Sequence, residues 1–278
     1  MLVNPKQMIL DAQKGHYAIG AFNTSDLEIT KAIISAAEKL KSPVMVETSE
    51  KAIAYAGLEE MSSFIIAAAR KAKVPVALHL DHGSNLEIVN KCLNVGYTSV
   101  MFDGSKLAYS ENVIYTARAV VAAHRNKATC EGELGSIGGH GKSGKFTDPS
   151  KVPEFVKNTG VDFLAVSFGS EHGIGADERL DIELLEKIQR TIHKTKTPLV
   201  LHGASGVPDK YIRLAIKNGI CKINIDTDIR HTFTKAIYEI KNKFPDPADP
   251  RDIMTKVMVE IQKVVEQKIK LFGSVGKA

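Results

Sequence analysis

Cysteine is scarce and scattered: three in 278 residues, at Cys92, Cys130 and Cys221, odd in number, far apart and each inside an apolar run. That usage excludes a disulfide framework and reads as reduced, buried thiols, the pattern of a cytoplasmic protein. No uninterrupted apolar run approaches the ~20 residues needed to span a bilayer. The N-terminal stretch MLVNPKQMILDAQKG has charges spread through an amphipathic helical pattern rather than a signal core. Neither export nor a membrane partner is expected. Also missing is any block of Lys and Arg followed by aromatics; the net charge of +5 is mild and spread along the chain. A nucleic-acid surface is therefore not indicated, whereas an anionic small substrate suits such a balance. No change of pattern appears midway, which argues against an open doubly wound sheet.

What the chain has instead is repetition. With 44% hydrophobic residues it can bury a full core. Short apolar runs recur at Tyr17 to Asn23, Pro43 to Ser49, Pro75 to Gly83, Ser99 to Gly104, Ala128 to Gly135, Phe163 to Gly169, Pro198 to Ser205 and Ile220 to Thr227. Helical patterns separate them, among them Asp26 to about Lys41, Leu58 to Lys71, Leu86 to Val95, Tyr109 to Asn126, Asp181 to Lys194 and Pro208 to Asn218. Eight strands joined to helices by short connections predict an α/β fold, a (β/α)8 TIM barrel of ~250 residues. One domain, residues 1–278, then accounts for the chain, with an extra N-terminal helix and a C-terminal helical extension from Asp249 to Phe272. The glycine-rich stretch SIGGHGKSGKFTDPS, Ser136 to Ser150, has no periodicity and reads as a mobile loop, a lid candidate.

In a barrel all strand ends reach one mouth, and here they carry titratable groups. The third strand ends in Asp81 and His82, the fourth in Asp103, the fifth carries Glu131 and Glu133 on one face, His172 follows the sixth and His202 ends the seventh. The eighth ends in Asn224, Asp226 and Thr227. Three imidazoles around an ion with positions left open is the arrangement of a catalytic zinc. Asp103 and Glu133 either organise the mouth by hydrogen bonds or serve a second or alternate metal position. His79 sits inside its apolar run and reads as a core residue or one that supports a ligand. His16, His124, His193 and His231 fall on helices or surface turns and carry no signal. Glycines beside His172 and His202 leave backbone amides open, and barrels commonly hold phosphate after strands seven and eight, where Ser205, Asn224 and Thr227 lie.

Taken together, HLDHG, SVMFDGS, EGELG, GSEHG, LVLHGASG and KINIDTDIR resemble the class II, zinc-dependent ketose-bisphosphate aldolases, in order and from near Gly15 to the C-terminus. The resemblance implies a cytoplasmic homodimer or homotetramer. Its activity would be reversible cleavage of fructose 1,6-bisphosphate, or of tagatose 1,6-bisphosphate, to dihydroxyacetone phosphate and glyceraldehyde 3-phosphate through a zinc-stabilised enediolate. It implies one catalytic Zn2+ on His82, His172 and His202, a possible second metal position at Asp103 and Glu133, and Asp81 as the group that exchanges the C4 hydroxyl proton. Gly173, Gly203, Ser205 and Thr227, with Ala204 in the same loop, would hold the ketone-end phosphate, with a monovalent cation nearby. Asn224 would contact the enediolate. Asp226 and Arg230 would meet the C4 hydroxyl and the distal phosphate, a pairing that favours fructose. Asn23 and Ser49, at the ends of strands one and two, complete the substrate-binding set.

Two features depart from the family pattern. The loop after ELG reads GGHGKSGKF, without the usual acidic residues, so His140, Lys142 or water would have to handle the C3 proton. Glu171 precedes His172 where a small polar residue is more usual; its charge would either strengthen the imidazole as a ligand or face solvent. Lys222, on the eighth strand, offers the rival chemistry of a Schiff-base aldolase if it is desolvated and neutral. Other rivals are a metal-dependent hydrolase on the same fold and a non-catalytic sugar-phosphate-binding relative.

Overall fold

The computed structural model describes residues 1–139, 144–173, 179–192, 195–241, 243–245 and 248–278. Helix α1 (Lys6–Gly15) precedes β1 (Ile19–Asn23), followed by α2 (Leu27–Leu40), β2 (Val44–Ser49), α3 (Glu50–Ala56), α4 (Leu58–Lys71) and β3 (Val76–Gly83). Then come α5 (Leu86–Asn94), β4 (Ser99–Phe102), α6 (Tyr109–Arg125), β5 (Thr129–Leu134), the two-residue β6 (Gly138–Gly139), α7 (Val152–Thr159) and β7 (Phe163–Val166). The remainder is β8 (Glu171–His172), α8 (Ile182–Ile192), β9 (Leu199–Leu201), α9 (Asp209–Lys217), β10 (Ile220–Ile225), α10 (Thr227–Lys241) and α11 (Pro250–Phe272). Eight parallel strands close in the order β1, β10, β9, β7, β5, β4, β3, β2, while β6 and β8 form a small separate sheet. The expected (β/α)8 barrel is what the chain forms.

Closure follows from strands that are buried on both faces. β1, β4, β5, β7, β9 and β10 are buried along their whole length, as near-continuous apolar runs in a parallel sheet require. Each helix covers them with a stripe: α2 buries Ile29, Ala32, Ile33, Ala36 and Ala37, and its start is fixed by the Asp26 side chain, which accepts from the Ile29 amide. The core thus has two layers. One lies between strands and helices. The other fills the barrel interior, where Ile19, Met45, Phe163 and Val200 pack with Met8, Ile9 and Ala12 of α1. Helix α1 therefore plugs one end of the barrel, and the opposite mouth, at the carboxyl ends of the strands, is the open one. Helix α11 seals the outside, burying Val257, Ile261, Val265, Ile269 and Phe272 and pairing Lys39 of α2 with Glu266 and Asp228 of α10 with Lys268.

Local differences from the expected pattern have physical causes. The first helix begins only at Lys6, because Leu2 bridges to Val76 and the Val3 amide donates to the Val76 carbonyl, extending the sheet's hydrogen bonding. Thr227 does not end the last strand but begins α10. A short helix, α3, follows β2 directly because the Ser49 hydroxyl accepts from the Ala52 amide. After β5, Ser136 is bridged to Lys145 and Gly138–Gly139 are paired to Glu171–His172. Among the described residues no single helix is long and apolar enough to cross a membrane.

Candidate active site

The site begins with a break in β3. Its pairing with β4 shifts register between Leu80 and Gly83, and His82 takes a left-handed backbone with φ of 51°. A non-glycine residue adopts that conformation at some cost, and it is held here because the Gly83 carbonyl accepts from the Asp103 amide. The twist brings the neighbours Asp81 and His82 to the same rim, which a regular strand would forbid.

Asp81 is clamped between two amides. Its Oδ2 accepts from Asn23 Nδ2 at 2.9 Å and its Oδ1 from Asn224 Nδ2 at 3.0 Å. Burial alone would raise its pKa, but His82, His202, Lys222 and the Asn23 amide reverse that and take it to about 2. The carboxylate is thus charged, oriented and on the wall of the mouth.

The imidazoles are oriented from behind. His82 Nδ1 lies 2.9 Å from Asp103 Oδ2, and His202 Nε2 lies 2.7 Å from Glu131 Oε1. With each of those nitrogens donating to a carboxylate, His82 Nε2 and His202 Nδ1 turn lone pairs toward one point, 2.8 Å apart. Two lone pairs that close need a cation between them or a proton shared by them. Burial would lower the His82 pKa, yet Asp81, Asp103 and Glu133 raise it to about 10, so the cluster draws positive charge to this spot. Neutral imidazoles braced by carboxylates are the donors a zinc ion takes, and the residues fit that group. Among the described residues the donor atoms gather in two sets, Asp81 with His82 and His202, and His82 with Asp103 and Glu133. Glu133 is buried, and burial lifts its carboxyl to about 8.

His172 stands slightly apart from this pair. Its ring centroid is 5.1 Å from that of His82, edge-on, and burial followed by the neighbouring imidazoles lowers its pKa to about 4. It belongs to β8, outside the barrel sheet, so its position depends on the pairing with Gly138–Gly139. Glu171 faces solvent. His140 and Lys142 lie outside the described residues, as does His193. His79 is buried with its Nδ1 2.7 Å from Ser99 Oγ, His124 meets Asp162 at 2.9 Å on the outside, and neither approaches the mouth.

A cleft of about 270 Å³ at the mouth is walled by Asn23, Ser49, Asp81, His82, His172, Gly173, His202, Gly203, Ala204, Ser205, Asn224, Asp226, Thr227 and Arg230. These are the catalytic, substrate-binding and three-histidine positions expected from the sequence, while Asp103 and Glu133 support them from behind His82. Gly203 is required where it stands: its φ is 61°, and a Cβ there would come 2.5 Å from the Glu171 carbonyl oxygen. Ser205 Oγ accepts from the Asp228 amide at 3.2 Å, tying the glycine loop to the start of α10. The loop and the first turn of that helix form one polar corner suited to an anion.

Beneath the cleft lies a layer that sequence reasoning did not assemble. Lys222 is fully buried, with Nζ 2.7 Å from Glu47 Oε1 and 3.0 Å from Glu131 Oε2, and it donates to Asn224 Oδ1 at 2.8 Å. Burial would lower its pKa, but Glu131 and Glu47 hold it above the usual lysine range. That overturns its reading as a Schiff-base nucleophile, which must be neutral and reach the substrate. Its contacts give it another part: one ammonium braces Glu131 behind His202 and Asn224 beside Asp81.

A closed parallel barrel with imidazoles and carboxylates converging at the carboxyl ends of its strands has the make-up of a metal-dependent barrel enzyme. The chain belongs to the class II fructose-bisphosphate aldolase family, whose model, described as fructose-bisphosphate aldolase class-II, matches residues 3–277. It is 40% identical to the fructose-bisphosphate aldolase of Geobacillus stearothermophilus, over 100% of this chain and 99% of that one. It is 38% identical to that of Thermus caldophilus over the whole of both. Among solved structures it superposes on the YdjI aldolase of Escherichia coli K12 with a TM-score of 0.90 at 35% identity, covering both chains fully.

Proposed function

We propose that the chain is a zinc-dependent, cytoplasmic, homo-oligomeric aldolase that reversibly cleaves fructose 1,6-bisphosphate into dihydroxyacetone phosphate and glyceraldehyde 3-phosphate. The observation that carries this reading is Asp81, an ionised carboxylate clamped by Asn23 and Asn224 and 3.8 Å from His82 Nε2 in the cluster that also includes His202. His82, His202 and His172 would hold the ion, with Asp103 and Glu131 fixing the first two rings. When bound, zinc supplies a Lewis acid that polarises the ketone end of the sugar.

The chain's own groups do the rest. The glycine loop from Gly203 to Ser205, with Gly173 and Thr227, takes the ketone-end phosphate, and Arg230 takes the distal one. The sugar is then stretched across the cleft with its C4 hydroxyl at Asp81. Asp81 accepts that proton as the C3–C4 bond breaks, C4 becomes the aldehyde carbonyl, and the bonding electron pair stays on the dihydroxyacetone phosphate half. Asn224, whose Nδ2 carries a second hydrogen beside the one given to Asp81, would donate it to the oxygen on which that charge develops. In condensation Asp81 returns its proton to the C4 oxygen.

The test is a side-by-side assay of fructose and tagatose 1,6-bisphosphate before and after chelation. Activity on fructose is expected, lost with the chelator and restored by zinc. Cleavage of tagatose alone would move the substrate, and borohydride trapping of a lysine adduct would remove the metal mechanism.

A further inference from the structure

A second recess, of about 560 Å³, opens on the rim of the catalytic cleft between α2, α3 and α10. It shares Asn23, Ser49, Asp226 and Arg230 with the cleft, so the two are continuous. A ligand anchored at the Gly203–Ser205 loop would extend past Asp81 toward this recess. The charged residues on its wall are Lys51, Arg230, Asp226 and Asp26. Both carboxylates are already engaged. Asp226 Oδ1 accepts from Arg230 Nε at 2.9 Å, and Asp26 Oδ1 accepts from the Ile29 amide at 2.7 Å at the start of α2.

Because Arg230 is tied to Asp226, that pair offers a guanidinium edge with little net charge. Lys51 is different. It is exposed, and among the described residues no carboxylate lies within ion-pair distance of it. It sits two positions after Ser49, where β2 runs straight into α3, so the barrel strand itself fixes its place on the wall. Lys51 lines the recess together with Asp226 and Arg230, and its positive charge, like that of Arg230, acts against the rise that burial imposes on the Asp226 carboxyl. A terminal phosphate is a dianion, and a neutral Arg–Asp unit alone attracts it weakly; an unpaired ammonium supplies the missing charge while the guanidinium edge supplies directed hydrogen bonds.

We propose that Lys51 is a specificity-determining residue which, with Arg230, selects substrates carrying a phosphate on the aldehyde-derived end. This rests on the aldolase reading above. The experiment compares zinc-loaded wild type, Lys51→Met and Lys51→Arg on fructose 1,6-bisphosphate and fructose 1-phosphate, reading the ratio of the two kcat/KM values. Loss of one charge-assisted contact corresponds to a fall in that ratio of about 10–100-fold. That fall is expected for Lys51→Met, with most of the ratio retained in Lys51→Arg and with the wild-type preference weakening as salt is raised. An unchanged ratio in Lys51→Met, or an equal loss on both sugars, would overturn the inference while leaving the aldolase reading intact. If wild type cleaves neither sugar, the aldolase reading fails and the inference fails with it.

Discussion

Asp81→Asn is expected to lower kcat for fructose 1,6-bisphosphate cleavage by about 10²–10⁴-fold, with zinc content unchanged. The carboxylate accepts from Asn23 on one oxygen and from Asn224 on the other, so each oxygen spends one lone pair on orientation and keeps another for the substrate. An asparagine has the same shape but only one acceptor oxygen; its amide nitrogen would confront one of those two donors, and it cannot take up the C4 proton. The loss should fall on kcat more than on KM, because the phosphate corner at Gly203, Ser205 and Thr227 is untouched. A second readout separates this role from a structural one. Exchange of the C3 hydrogen of dihydroxyacetone phosphate with deuterated solvent, followed by NMR, should survive in the variant, since that step does not involve the C4 oxygen. Loss of exchange together with cleavage would mean that Asp81 handles the wrong proton or merely supports the metal ligands.

The same two residues illustrate what a sequence makes legible. Asp81 and His82 stand at the end of an apolar run, and a run that stops at ionisable groups signals both the strand and its functional end. The barrel could be read because each strand is buried on both faces and each helix carries one stripe, so the period switches cleanly from element to element. The walls of the cleft could be read for the same reason: strand ends converge once closure is assumed.

Other features needed three-dimensional neighbours. That adjacent residues Asp81 and His82 share a rim depends on the register shift before Gly83 and on a positive φ at His82, and no propensity reports either. The partial separation of His172 from the other two imidazoles comes from β8, whose pairing partner lies more than thirty residues upstream in a glycine-rich stretch. The ion network under the cleft left only a faint trace. Glu47 in PVMVETS and Lys222 in ICKINIDT are each a charge inside an apolar strand, which a buried barrel tolerates only when another strand supplies the opposite charge. Alternation placed Glu131 on the face of Glu133, but its partners, His202 on one oxygen and Lys222 on the other, are visible only after the barrel closes.

That network carries the second large expected effect. Lys222→Met should cost about 3–5 kcal/mol of stability, measured by denaturant unfolding, and weaken zinc binding by about 10–100-fold, measured by competition with a chromophoric chelator. Lys222 is fully buried between Glu47 and Glu131, so its loss leaves the ionised Glu131 in the barrel interior without the ammonium that offsets it. Burial already pushes Glu47 to about 8 with the ammonium present, which indicates how little solvation the interior offers. Without Lys222, Glu131 loses the partner on its Oε2 and with it the fixed orientation that presents Oε1 to His202 Nε2. His202 can then turn, or exchange the proton between its two nitrogens, and the lone pair now aimed from Nδ1 toward His82 is no longer held in place. Asn224 loses its anchor in the same substitution, since its Oδ1 accepts from Lys222 while its Nδ2 donates to Asp81. Removing the buried charge at the same time should restore part of the stability: Lys222→Met with Glu131→Gln is expected to be more stable than Lys222→Met alone, yet still weak in zinc binding, because His202 then lacks the carboxylate that orients it. Recovery of zinc affinity along with stability would place the brace elsewhere and reduce Lys222 to charge balance in the core.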